Sequence, residues 1–279
     1  MIRTSAAFVA SLLVAANIAV DAQTAAVSVR PVASAGRTIH VTTTQDLSIS
    51  ASGLAGPGQL KMQSSGALAF TQINKAFNDQ GLMDAEITIE KLEMTQALNG
   101  ASADPRKAAN AVDPVGQKVV ATFDRTGKLS NVSAPKELEA HSAALRQLLG
   151  GAYALVIGIP EMPMTVGETR TVDTSALPLS LPGMPAGTPL PKVSLTLRAI
   201  DRVNGDRIAR LTQDVESSGP ANPLTITGTG TIDVNIDKGF VTSSEMNWNV
   251  DGSLRAPGAN AAQPARVQAT FKLAFNATE

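Results

Sequence analysis

Leu224-Thr-Ile-Thr-Gly-Thr-Gly-Thr-Ile-Asp-Val-Asn-Ile236 alternates apolar or glycine residues with polar ones throughout. Leu224, Ile226, Gly228, Gly230, Ile232, Val234 and Ile236 share one parity, and the threonines, Asp233 and Asn235 share the other. A period of two places the first set on one face of a strand and the second on the opposite face. The following residues repeat the pattern. Phe240, Met246, Trp248 and Val250 stand against Ser243, Glu245, Asn247 and Asn249. Val267, Ala269, Phe271, Leu273 and Phe275 stand against Arg266, Gln268, Thr270 and Lys272. Such runs predict antiparallel strands, dry on one side and wet on the other.

Earlier segments read similarly. Over 38–50, Ile39, Val41, Leu47 and Ile49 oppose His40, Thr42, Thr44, Asp46 and Ser48. Residues 59–73, 82–98 and 117–123 are further strand candidates, and the parity slip between Ile89 and Leu92 predicts a bulge near Lys91. Residues 133–160 differ. Ser133 and Pro135 can open a helix, and Leu138, Leu145, Leu148 and Leu149 recur at helical spacing. Residues 177–191 hold five prolines and two glycines, which excludes a helix or central strand.

The expected organisation is a signal peptide at 1–22, a disordered lead at 23–36, and a first β-rich half at 37–132. A central helix at 133–160 and a second β-rich half at 161–279 follow. The fold class is mainly β: a curved antiparallel sheet or sheets, or a half-barrel, with one central helix. Asp-led turns at 124–127 and 237–239 raise a duplicated β-meander as its plan.

The signal peptide is read from Arg3, the apolar run Ala6–Val20 and Val20-Asp21-Ala22 before Gln23. The apolar run is shorter than the ~20 residues that span a bilayer. Losing residues 1–22 removes one cation (Arg3) and one anion (Asp21), so the net charge stays at −1. That balance offers no field to nucleic acid. With no cysteine, the exported chain has no disulfide and cannot be a lipoprotein. The expected location is the bacterial periplasm or the exterior.

Gly158-Ile159-Pro160 ending the central segment, then Met164-Thr-Val-Gly-Glu168 opening the second half, complete a layout. It resembles a class of uncharacterised exported bacterial proteins, similar in organisation to the half-barrel fold of the periplasmic lipoprotein carriers. The chain departs from that pattern at Thr169-Arg170-Thr171, where an aromatic is usual, so no functional residue is carried over. The resemblance implies a curved sheet whose apolar concave face holds the helix.

Catalytic equipment is sparse. The two histidines, His40 and His141, lack a nucleophile elbow, and Ser64-Ser65-Gly66 lacks the strand-to-helix context of one. Two histidines without cysteine do not make a zinc site. Asp84, Glu86 and Glu90 share one face of a strand, where a solvated acidic face competes with a hard-cation site or an acid/base pair. No enzyme activity, metal or cofactor is expected. Glycines on a dry strand face admit close approach, by another part of the chain or by a ligand. Gly228, Gly230, Trp248, Phe271 and Leu148 are therefore the candidate ligand-binding residues. The reading is a non-enzymatic carrier or binding module for a lipid or other apolar molecule. The alternative is a structural envelope protein with a protein partner and no small ligand. An outer-membrane barrel is disfavoured because aromatic girdles are missing.

Overall fold

A computed structural model describes residues 25–32, 34–53, 59–103, 113–124, 129–136, 138, 149, 159, 162–172, 191–217, 224–254 and 265–279. The strands are β1 (Thr38–Ser52), β2 (Gln59–Phe77), β3 (Leu82–Leu98), β4 (Ala101–Ala103), β5 (Lys118–Asp124) and β6 (Leu129–Ser133). Then come β7 (Thr169–Val172), β8 (Lys192–Val203), β9 (Asp206–Ser217), β10 (Leu224–Asn235), β11 (Phe240–Leu254) and β12 (Ala265–Thr278). All belong to one antiparallel sheet of order β6-β5-β3-β2-β1-β12-β11-β10-β9-β8-β7, with β4 beside β3. The first and last strands pair at its middle, Thr43 opposite Phe275, so the edges are the short strands β6 and β7.

The expected period of two governs burial. Ile39 and Val41 are buried while His40 and Thr42 are exposed, and Met246, Trp248 and Val250 are buried while Glu245, Asn247 and Asn249 are exposed. Dry residues therefore line one face. A membrane barrel requires the reverse, apolar outside and polar inside. The sheet curves around its dry face. Phe123 on β5 and Val241 on β11 line one cleft, although five strand spacings would hold them roughly 24 Å apart in a flat sheet.

Two of the sheet's register shifts bear on the parities read from the sequence. Ala69 pairs with Lys91 and Phe70 with Ile89, leaving Glu90 as the extra residue of a bulge. This bulge is the source of the slip seen in the sequence, and it keeps both Ile89 and Leu92 buried. A second register shift leaves Thr242 unpaired between Val241 and Ser243. It corrects the parity assigned to Phe240, because Val241 takes the dry position and is 3% exposed. The β8–β9 hairpin turns at Asn204-Gly205, both with positive φ (53° and 94°), as a two-residue type I′ turn requires.

Three expectations need revision. The lead at 23–36 is not disordered over its described part: Val27 pairs with Met164, Val29 is fully buried, and the Val32 amide donates to the Gly239 carbonyl at 2.8 Å. Ser133 does not cap a helix but ends β6. Every named element is a strand, and among the described residues of 133–160 Leu149 is helical. Most of the expected helix at 133–160, with Leu148, His141 and Gly158, lies outside the described residues, as do the signal peptide and the turn at 125–127. Leu138 and Leu149 are described and join the core.

Met164-Thr-Val-Gly-Glu168 acts as a clasp at the start of β7. The Thr165 amide donates to the Glu168 carboxylate at 2.9 Å, Arg170 Nε donates to the same carboxylate at 2.6 Å, and the Leu197 amide donates to the Glu168 carbonyl. The Thr165 amide first, and Arg170 second, hold the Glu168 carboxyl below its usual range. A depressed carboxyl contributes stability above its unfolded value, about 4.3. That contribution is lost as pH falls through the lower folded value. Glu168→Gln is therefore expected to shallow the loss of stability below about pH 4.3, read as urea midpoints at pH 7, 4 and 3. An unchanged acid limb would exclude this clasp as a contributor.

Candidate functional site

His40, Ser65, Asp84, Glu86 and Glu90, named from the sequence, lie on the polar outer face and have local partners. The Thr71 hydroxyl hydrogen-bonds His40 Nδ1 at 2.8 Å and donates to Glu90. A catalytic triad has the carboxylate orienting the imidazole; here it binds the hydroxyl instead, across an open strand surface. Glu86 pairs with Lys118 at 2.6 Å, which pulls its carboxyl below the usual range, and Asp84 accepts from Thr122 at 2.8 Å. Ser65 hydrogen-bonds Thr95 at 2.6 Å. Among the described residues no three His, Asp or Glu side chains are grouped to hold a metal.

At the end of the sheet where β1 begins, the 31–37 segment and the dry face enclose a cleft of ≈ 610 Å³, mouth included. Its polar groups satisfy one another. Gln72 donates to Asn74 at 2.6 Å, and Asn74 donates to the Ser34 carbonyl at 3.1 Å. Arg37 pairs with Glu279 at 3.0 Å, donates to the Lys238 carbonyl and lies 5.5 Å from the Phe240 ring centroid. Gly239, at φ 72°, lets Val32 approach: a Cβ there would sit 2.9 Å from the Val32 carbonyl oxygen. The chain's own Pro31, Val32 and Ser34 form part of its wall.

The opposite end of the dry face is different. Rows of directly opposed residues cross the sheet there. One runs Met94, Gly66, Gln45, Leu273, Met246, Gly230, Gln213 and Leu195. The next runs through Gln96, Ser64, Leu47, Phe271, Trp248, Gly228, Val215 and Val193. On the β8–β11 side, Trp248, Gln213, Val215 and Val193 are buried. On the other side Leu47, Ile49, Met62, Met94, Ala269 and Phe271 are only half-buried, and Leu98 is exposed. An apolar stretch of inner face is thus left partly uncovered.

The predicted residues Gly228, Gly230, Trp248 and Phe271 come together at the boundary of this stretch. Gly228 lies opposite Trp248, and a Cβ at Gly228 would be 2.4 Å from Trp248 Cδ1. Gly230 lies opposite Met246, with Cγ 3.1 Å from its Cβ position. The glycines therefore receive the side chains of β11, the next strand. Trp248 and Phe271 meet at a tilt of 59° with centroids 6.3 Å apart. Leu148 lies outside the described residues. Leu47, Ile49, Met62 and Ala269 were absent from the predicted set, although Leu47 and Ile49 were visible as alternating apolar residues. Gln213 was also missed; its signal is a polar residue at the dry parity of Leu211 and Val215.

No family model and no curated protein matches the chain. A solved structure of lipovitellin, concerned with its lipid–protein interactions, aligns over 88% of this chain at a TM-score of 0.49 and 10% identity. The chain spans only 25% of lipovitellin's length. DynF from the dynemicin biosynthesis pathway of Micromonospora chersina aligns over 91% of this chain and 84% of its own at TM-score 0.19 and 10% identity. Pseudomonas aeruginosa OccK2, in complex with glucuronate, aligns over 88% of this chain and 99% of its own at TM-score 0.20 and 8% identity.

Proposed function

We infer that this chain is a non-enzymatic binding or carrier module for an apolar ligand such as a lipid. It acts after export, in the bacterial periplasm or outside the cell, without a lipid anchor. One observation carries the reading: the half-buried Leu47, Ile49, Met62, Ala269 and Phe271, with Met94 beyond Gln45 and Ser64, form an apolar stretch on the inner face of a curved sheet. A face that only completed a core would bury these side chains as fully as it buries Phe70 and Ile87. Ligand sites are concave and mostly apolar, with few polar groups.

The test is mass spectrometry of organic extracts from protein purified out of its native compartment. A stoichiometric lipid is the expected result; an empty protein would favour the envelope scaffold. Ile49→Gln gives an independent check. It makes a half-buried wall residue polar without adding charge, so it is expected to deplete the extracted ligand while the thermal midpoint falls by only a few degrees. An undiminished ligand content would move the site elsewhere.

A further inference from the structure

The cleft at the end of the sheet where β1 begins has walls from both halves of the chain. Met83 and Phe123 come from β3 and β5, Phe240 and Val241 from β11, and Phe275 and Ala277 from β12. The 31–37 segment adds a further wall and is tied at both ends. The Val32 amide donates to the Gly239 carbonyl at 2.8 Å, and Gly36 and Arg37 exchange backbone bonds with Asn74 at 3.0 and 2.9 Å. With its mouth the space measures ≈ 610 Å³, inside the roughly 300–1,000 Å³ of small-molecule pockets. Two features of the lining select an occupant. Three of the chain's seven phenylalanines line it, beside the Met83 side chain, and both phenyl rings and thioethers make favourable contacts with a further ring. A charged group, by contrast, finds no partner. Among the described residues Arg37 is the one charged lining residue, and Glu279 balances it at 3.0 Å. Gln72 donates to Asn74, and Asn74 to the Ser34 carbonyl.

We propose that this cleft binds an uncharged aromatic molecule of one or two rings. The site is separate from the stretch around Leu47 and Ile49. Phe275 lies four residues along β12 from Phe271, roughly 14 Å, with the Gln45–Leu273 pair between them. The inference therefore stands whether or not that stretch carries a lipid. A carboxylate or ammonium entering the cleft would lose its water without gaining a free counter-charge. A saturated ring of the same size would fill the space but forgo the ring-to-ring contacts.

Methionine methyl groups report the two places separately. Met83 is 1% exposed and lines the cleft, whereas Met62 and Met94 lie half-buried on the other stretch. The full chain, carrying methyl-labelled methionine with Met83→Leu to assign the Met83 signal, is titrated with toluene, methylcyclohexane and benzoate and followed by NMR. Toluene is expected to shift the Met83 methyl saturably, at lower concentration than it moves Met62 or Met94. It is expected to bind about threefold more tightly than methylcyclohexane, the scale of one aromatic pair. Benzoate is expected to bind roughly tenfold more weakly than toluene, because its charge goes unpaired. Ala277→Leu, which fills the cleft from β12, is expected to abolish the Met83 shift. A still Met83 methyl, or one that moves only together with Met62 and Met94, would overturn the site and leave the lipid reading untouched. Methylcyclohexane binding as tightly as toluene would overturn the aromatic preference, and benzoate binding as tightly would overturn the requirement for an uncharged molecule. Should Ala277→Leu not fold, the wild-type ranking decides by itself.

Discussion

Trp248→Asp is expected to leave the protein largely unfolded at neutral pH. The indole is 6% exposed, lies over Gly228 and meets Phe271 at 6.3 Å. Its row neighbours are Phe271 and Gly228, and on its own strand Met246 and Val250 are also buried. The substitution removes the packing of a large aromatic and places a carboxylate on the dry face. Truncating a buried Trp costs about 3–5 kcal/mol, and an unpaired buried charge adds to it. A typical domain is stable by about 5–15 kcal/mol, so the loss is comparable to the whole. Asn247→Asp is the matched control. Asn247 points to the wet face, between Thr229 and Lys272, and the change is expected to stay within about 0.5 kcal/mol. Urea unfolding followed by far-UV circular dichroism compares the two without needing the tryptophan. Similar costs at both positions would show that β11 is not half-buried.

Gly228→Ala should destabilise by about 1–3 kcal/mol, the usual cost of overpacking a close-packed site. The new methyl would stand 2.4 Å from Trp248 Cδ1 and 2.9 Å from the Asn247 carbonyl oxygen. The second of these is backbone, held by the β10–β11 ladder, and cannot yield without breaking register. Gly66→Ala makes the opposite case. Its nearest atoms, at 3.2 and 3.3 Å, belong to the Gln45 side chain, which can rotate away. Replacing a glycine by alanine without strain narrows the unfolded ensemble and stabilises by about 0.4–1 kcal/mol. The two variants are expected to move the urea midpoint in opposite directions. Loss of stability at both would mean that the sheet tolerates no added volume, whatever the neighbouring atom.

The alternating residues were enough to define most of the strands and the face each residue occupies. Each strand carries its own period-two record, and the bulge at Glu90 left a visible slip between Ile89 and Leu92. The second shift, beside Thr242, was harder to read because Phe240, Val241 and Thr242 place two apolar residues side by side. Either register can bury one of them. The lead was misread for a related reason: Val27 and Val29 sit among alanines and serines, and only Met164 and the sheet end provide a partner for them.

The sequence by itself determined that this is a half-wet antiparallel sheet, because local periodicity is a property of the chain. Only the tertiary structure decided that β1 pairs with β12, that Trp248 occupies the space above Gly228, and that Gln213 is stranded beside Gly230. Those outcomes depend on which strands become neighbours. An alternating strand can bury its dry face against many partners, so the choice rests on register and closure among residues more than 200 positions apart, as with Thr43 and Phe275.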